Sequence, residues 1–197
     1  MTKLTVSLLA VGLFGSLLFP IYSHAQSKEK PEIIRPTSST AQEMNNLNTV
    51  PKGFKTEFIV TDEEGRRKCE FLMELYKIIE TDPTVEKMLP YVSEDYIQHN
   101  PMLGNGPEAL AMFFGVAASE YPVKIEVHRI IVVDKWAWVH LNFRNMDTED
   151  PNDLGSTGVD IFTFGPDGKL TEHWDAVQNI PAFSANTNGM LLQIRED

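Results

Sequence analysis

The chain has 197 residues, with 17 basic and 28 acidic side chains and a formal charge of −11, so nucleic acid and anionic membrane surfaces are poor partners for it. Its single cysteine, Cys69, excludes an intrachain disulfide in any compartment.

The first 25 residues read as a secretory signal peptide. Lys3 supplies a weak basic start, Leu4 to Phe19 an apolar run, and Ser23-His24-Ala25 a small-x-small cleavage site ahead of Gln26. The runner-up is an uncleaved N-terminal anchor, but Gly12, Gly15 and Ser16 interrupt a run that is short for a span of about 20 residues. No cysteine lies near the cleavage site, which argues against a lipoprotein. The expected mature protein is periplasmic or secreted and keeps no membrane span. Losing Lys3 leaves 16 basic against 28 acidic residues, a formal charge of −12 that suits solubility outside the cytoplasm.

Residues 26–55 are rich in Lys, Glu, Pro, Ser, Thr and Asn and cannot bury enough apolar surface to offset ordering, so a disordered leader or tether is expected. Residues 56–197 are then one domain, without internal repeats. Thr61-Asp62-Glu63-Glu64 reads as a Thr-x-x-Glu capping box before a helix whose stripe is Cys69, Leu72, Met73, Tyr76 and Ile79. Cys69 on that stripe is expected to be a buried, inert thiol. A second helix is expected from about Pro83, with Val85, Met88, Leu89 and Val92 as its stripe. Tyr96 to Asn100 is extended, Gly104-Asn105-Gly106 is a loop, and Pro107 opens a third helix to about Ser119.

The rest is β. Val123–Val133 and Trp136–Arg144 alternate and meet at Asp134-Lys135, which places His140 opposite Arg129, on a face with Trp136, Trp138 and Asn142 and away from His128. That stripe suits an aromatic cavity wall or a dimer interface. Two further strands are closed by Gly165-Pro166-Asp167-Gly168, with 179–197 as an irregular tail. With Phe164 opposite Lys169, Asp160 falls opposite His173, and Asp160, Phe162, Phe164, Thr171, His173 and Asp175 share one face. Two carboxylates and an imidazole among aromatic rings make a poor core face, because unpaired buried polar groups cost roughly 2–7 kcal/mol each. They make a good pocket wall. Helices followed by antiparallel strands argue for an α+β fold, with helices packed on one face of a curved sheet around a cavity for a small apolar or amphipathic molecule.

Asp175 is the first choice for a proton-transferring group, because apolar walls disfavour a carboxylate's charged form. His173 would orient it, and Asp160 would hold His173 in one tautomer. His99, at the end of an extended segment, is the expected donor to a substrate carbonyl. Gln98 and Asn100 alternate to its opposite side. Tyr96 is a candidate oxyanion donor, and Trp138, His140, Phe162 and Phe164 are candidate substrate contacts. Trp174 alternates away from the site and reads as packing. No metal is expected, since His-x-x-x-His is absent, although His173-Trp174-Asp175 has a His-x-Asp spacing. No Gly-x-Ser-x-Gly elbow or phosphate-binding loop is present.

These blocks resemble a known family. Tyr96-Ile97-Gln98-His99-Asn100-Pro101 with Gly106-Pro107-Glu108 is similar to one signature of the SnoaL-like branch of the nuclear transport factor 2-like superfamily. Val159-Asp160-Ile161-Phe162, Asp167-Gly168-Lys169, Glu172-His173-Trp174-Asp175 and Gln178 resemble another, and Pro181, Asn186, Asn188, Gly189 and Met190 resemble its tail. The resemblance spans roughly 65 to 192. It implies a cone-shaped α+β barrel, often a homodimer through the convex side of the sheet. It also implies polyketide cyclase-like, cofactor-free acid–base chemistry on a carbon next to a carbonyl: aldol condensation, cyclisation or isomerisation. The polar insertion from Asn145 to Ser156 departs from that pattern. The alternatives are a non-catalytic binder of a small apolar ligand in the cell envelope, and an envelope adaptor with Trp136 and Trp138 exposed.

Overall fold

A computed structural model describes residues 54–120, 123–146, 153–182, 186 and 188–191, with side chains omitted for 116–120. The expected signal peptide, nearly all of the expected leader and the centre of the insertion (147–152) lie outside these residues. Among the described residues no helix is long and apolar enough to cross a membrane.

Strand β1 (Glu57–Ile59) is too short to show any periodicity in sequence. Helix α1 (Glu63–Thr81) follows, and its cap is Asp62 rather than Thr61. The Asp62 carboxylate accepts the N–H of Gly65 at 2.8 Å, which satisfies a first-turn donor that nothing in the helix can reach. The helix buries Cys69, Leu72, Leu75, Tyr76 and Ile79, while Met73 lies half-buried at the stripe's margin. Burial pushes the Cys69 thiol up to about 11, as expected of an inert cysteine. The expected second helix shrinks to one turn, α2 (Val85–Met88). Pro90 has no N–H to continue it, so Val92 starts strand β2 (Val92–Gln98) instead of closing a helical stripe. Helix α3 (Gly106–Glu120) opens at Gly106 and Pro107 as expected.

Strands β3 (Lys124–Val133), β4 (Trp136–Arg144), β5 (Ser156–Phe164) and β6 (Leu170–Asn179) form an antiparallel meander. The edge strands join it in parallel, β1 on β3 and β2 on β6, giving one open mixed sheet in the order β1-β3-β4-β5-β6-β2. Helices lie on one face of that sheet, which is the expected α+β architecture. The apolar residues of β4 that face them are Ala137, Val139, Leu141 and Phe143, all buried.

Two register details position the site. The β3–β4 turn forms at Asp134-Lys135, with Asp134 at φ 53°, and Arg129 does face His140. A bulge between Val127 and Arg129 breaks the alternation, however, so His128 lies beside His140, ring centroids 5.4 Å apart, instead of on the opposite face. In the β5–β6 hairpin Phe164 faces Leu170, and another irregularity follows at Thr163. Asp160 consequently faces Asp175, and His173 faces Phe162. The register has moved by two residues, one full side-chain period, so Asp160, Phe162, His173 and Asp175 keep the common face. Thr171 does not. The irregularity turns it to the Thr163 hydroxyl at 2.8 Å.

Gly155, which returns the insertion to β5, has φ +83°, and a Cβ there would stand 2.3 Å from the Phe143 carbonyl oxygen. Gly155→Ala should therefore lower the stability of the folded chain by more than about 2 kcal/mol, combining left-handed strain with a backbone clash. Urea unfolding checks this, and a change below about 0.5 kcal/mol would mean the turn relaxes freely.

Candidate active site

Helices α1 and α3 and the helix-facing side of the sheet enclose a cavity of about 90 Å³. One water needs roughly 10–15 Å³ on this measure, so the space holds several waters or one small organic group. Its apolar walls come from Leu75 and Ile79 of α1, Leu110, Phe113 and Phe114 of α3, and Phe143 of β4. Its polar wall consists of Tyr76, Tyr96, Gln98, Asn100, Asp160, His173 and Asp175.

These polar groups form a chain of fixed hydrogen bonds. The Tyr76 hydroxyl donates to Asp160 Oδ2 at 2.6 Å. Gln98 Oε1 accepts the Asn100 backbone N–H at 2.9 Å, which identifies that atom as the oxygen. The same oxygen lies 2.9 Å from His173 Nδ1, so Nδ1 carries the hydrogen and donates. Asn100 Oδ1 accepts the Met102 N–H at 2.9 Å, leaving Asn100 Nδ2 to donate to Asp175 Oδ2 at 2.6 Å. His173 Nε2 is buried without a hydrogen-bond partner among the described residues, 3.6 Å from Asp160 Oδ1. The His173 ring stacks on Phe162 with centroids 4.7 Å apart.

Burial, reinforced by the charges of Asp160 and Asp175, holds the Tyr76 and Tyr96 hydroxyls well above the usual phenol range. Both therefore remain donors at any ordinary pH. Tyr76 spends its hydrogen on Asp160, whereas the Tyr96 ring lines the cavity. One atom each of Asp160, His173 and Asp175 lies within 4.8 Å of the others, a donor set that a divalent ion could draw together. Chemically, the wall offers acceptors for protons and one phenolic donor beside them.

Of the residues singled out in the sequence, Asp160, His173, Asp175, Tyr96 and Phe162 meet at this cavity. Four do not. His99 is exposed outside it, stacked on Trp174 at 4.3 Å and 3.3 Å from Glu172 Oε2. Gln98, not His99, faces inward, because the parallel pairing of β2 with β6 sets Gln98 against His173. Trp138 and His140 lie on the far side of the sheet, since β4 turns its aliphatic residues to the helices. There His140 Nε2 contacts the Thr157 hydroxyl at 3.1 Å, and Trp136 packs on both Trp138 and Trp174. Phe164 shares Phe162's face but sits further toward the turn, under α1, where Phe71 meets its edge and Lys68 lies over its ring. Sequence reasoning missed Tyr76, Gln98 and Asn100 as site residues. Tyr76 was visible only as a helix-stripe residue. Alternation paired Gln98 and Asn100 correctly but could not say which side of the strand faced inward.

The SnoaL-like domain model matches residues 74–173, more than half of the chain. The chain belongs to the SnoaL-like family. Among solved structures this SnoaL-like protein is similar to a candidate polyketide cyclase from Bacillus cereus ATCC 10987, at 18% identity and a TM-score of 0.52, covering 66% of this chain and 90% of that one. At that identity the likeness shows the fold alone. A candidate isomerase of the SnoaL-like family from Agrobacterium tumefaciens strain C58 is 12% identical, with a TM-score of 0.46 over 57% of this chain and 99% of its own. A steroid delta-isomerase from Pseudomonas aeruginosa is 15% identical, with a TM-score of 0.42 over 58% and 84%. No curated protein matches the sequence.

Proposed function

We propose that this SnoaL-like protein removes a proton from a carbon next to a carbonyl in a small, largely apolar molecule, without a cofactor, as an isomerase or cyclase would. The observation that carries the reading is Asp175. One of its oxygens is fixed by Asn100, and the residue lines an apolar cavity beside His173 and the Tyr96 phenol. In the first step the free Asp175 oxygen takes the α-proton. The C–H electron pair becomes the C=C bond of an enolate, and the carbonyl π pair moves onto oxygen. The Tyr96 hydroxyl donates to that oxygen, replacing His99 in the role expected of it. In an unsaturated ketone the dienolate then takes the proton at its far conjugated carbon, which shifts the double bond and gives isomerisation. Alternatively the α-carbon attacks a second carbonyl carbon, whose oxygen takes the proton, giving an aldol product. His173, with Nδ1 tied to Gln98, presents its Nε2 lone pair to Asp160 and can receive a proton from the acid that Asp175 has become.

The test is deuterium incorporation from D₂O into a panel of small apolar ketones and 1,3-diketones. Protein-dependent exchange at the α-carbon is expected; its absence across the panel would leave a binder without proton chemistry. The export component rests on residues 1–25 alone. N-terminal sequencing of protein recovered from secreting cells should begin at Gln26, and a retained Met1 would defeat it.

A further inference from the structure

Asp160, His173 and Asp175 are each held at one polar atom by a neighbour, which leaves each a second polar atom for a ligand. Tyr76 secures Asp160 Oδ2, Gln98 secures His173 Nδ1–H, and Asn100 secures Asp175 Oδ2. One donor atom from each of the three residues lies within 4.8 Å of the others. His173 is 8% exposed, and its Nε2 is an unpartnered atom directed at Asp160. Among the described residues no lysine or arginine lines the cavity to balance the two carboxylates. A buried acceptor without a donor is unfavourable, and His173 Nε2 stands beside two carboxylates, so a ligand that fills this end well brings hydrogens and positive charge.

A primary ammonium carries three N–H donors on one tetrahedral centre. With acceptors about 2.8 Å from nitrogen, their mutual separations are about 4.6 Å, inside the 4.8 Å that bounds one atom from each residue. His173 Nε2 and Asp160 Oδ1, now 3.6 Å apart, would spread by about 1 Å to share the ammonium. A metal ion bound at about 2.1 Å needs ligands about 3.0–3.4 Å apart, a smaller movement for His173 Nε2 and Asp160 Oδ1, so the spacing admits either ligand and the walls of the cavity decide between them. The opposite walls, Leu75, Ile79, Leu110, Phe113, Phe114 and Phe143, offer aliphatic and aromatic surface to an organic tail that a hydrated ion would leave unused.

We propose that the cavity binds a small hydrophobic primary amine as its ammonium ion, with the –NH₃⁺ group on Asp160, His173 and Asp175 and the tail against α1 and α3. The inference shares the cavity with the catalytic reading but does not depend on proton abstraction. An amine so placed would cover the Asp175 oxygen and compete with a carbonyl substrate.

The experiment is isothermal titration calorimetry of the full chain at pH 7 with 2-phenylethylammonium, and with 2-phenylethanol, which has the same tail and no charge. Mn²⁺ and Zn²⁺ are titrated separately. The amine is expected to bind at least 10-fold more tightly than the alcohol. Asp175→Asn and Asp160→Asn, each checked for native unfolding, should remove most of that difference. Equal affinity for amine and alcohol, no binding of either, or metal binding that amine does not displace would each overturn the proposal. Deuterium exchange that persists while the amine fails to bind would sink this inference alone. Amine binding without exchange would sink only the catalytic reading.

Discussion

Asp175→Asn is expected to lower the rate of α-proton exchange by about 10²–10⁴-fold, the span that a positioned general base contributes. The substitution keeps the shape of the side chain and leaves an amide oxygen able to accept the Asn100 Nδ2 hydrogen bond, now 2.6 Å long. It removes only the basic oxygen. Stability should therefore change by less than about 1 kcal/mol while kcat collapses, a combination that separates a chemical role from a structural one. Tyr96→Phe provides the companion measurement. Losing one donor to the developing oxyanion should lower kcat by about 10²–10³-fold with a smaller effect on KM. An Asp175→Asn protein that exchanges at the wild-type rate would remove Asp175 from the mechanism. The base would then have to be sought at His173 or Asp160.

Stability should fall steeply in mild acid, because His128 is buried on the far side of the sheet. Its two ring nitrogens have no partner among the described residues, and its ring lies between Phe54 at 5.2 Å and His140 at 5.4 Å. Burial, then repulsion from His140, Arg129 and Arg144, pushes its pKa down to about 4. His140 is lowered too, by burial and then Arg129. An unfolded histidine takes its proton near pH 6.5. Between about 6.5 and 4 the unfolded chain therefore binds more protons than the folded one, and stability drops as pH falls through that window. It is fully present above about 6.5. The loss attributable to His128 is on the order of 3 kcal/mol, a large share of the usual 5–15 kcal/mol for a domain. Urea unfolding at pH 7.5 and pH 4.5 measures it. His128→Phe, which keeps the ring against Phe54 and removes the titrating nitrogens, should flatten most of the difference. A variant as acid-sensitive as the parent would assign the effect to other groups.

Local chemistry written into the sequence accounts for much of the fold. The stripe of α1, the Gly106-Pro107 start of α3, the Asp134-Lys135 turn and the Gly165–Gly168 turn each depend on neighbours a few residues apart, and each formed. The common face of Asp160, His173 and Asp175 was legible for the same reason. It survived a register error, because a two-residue slip returns every side chain to its own side.

Local pattern was insufficient wherever a distant partner chose between two equivalent local states. Alternation in Tyr96–Asn100 divides Ile97 and His99 from Gln98 and Asn100, but only the pairing of β2 with β6 turns Gln98 inward and His99 out against Trp174. In β4 both faces carry apolar side chains, and the packing of helices on the aliphatic one sends Trp138 and His140 to the other. Nothing near Tyr76 in sequence marks it as more than a core residue; its hydroxyl acquires a role through Asp160, 84 positions away. The sequence by itself determined the periodicities, the turns and the kind of chemistry available, because these follow from backbone geometry and side-chain type. The tertiary structure decided which faces look into the cavity and which acceptors converge there, because those choices depend on contacts between segments far apart in the chain.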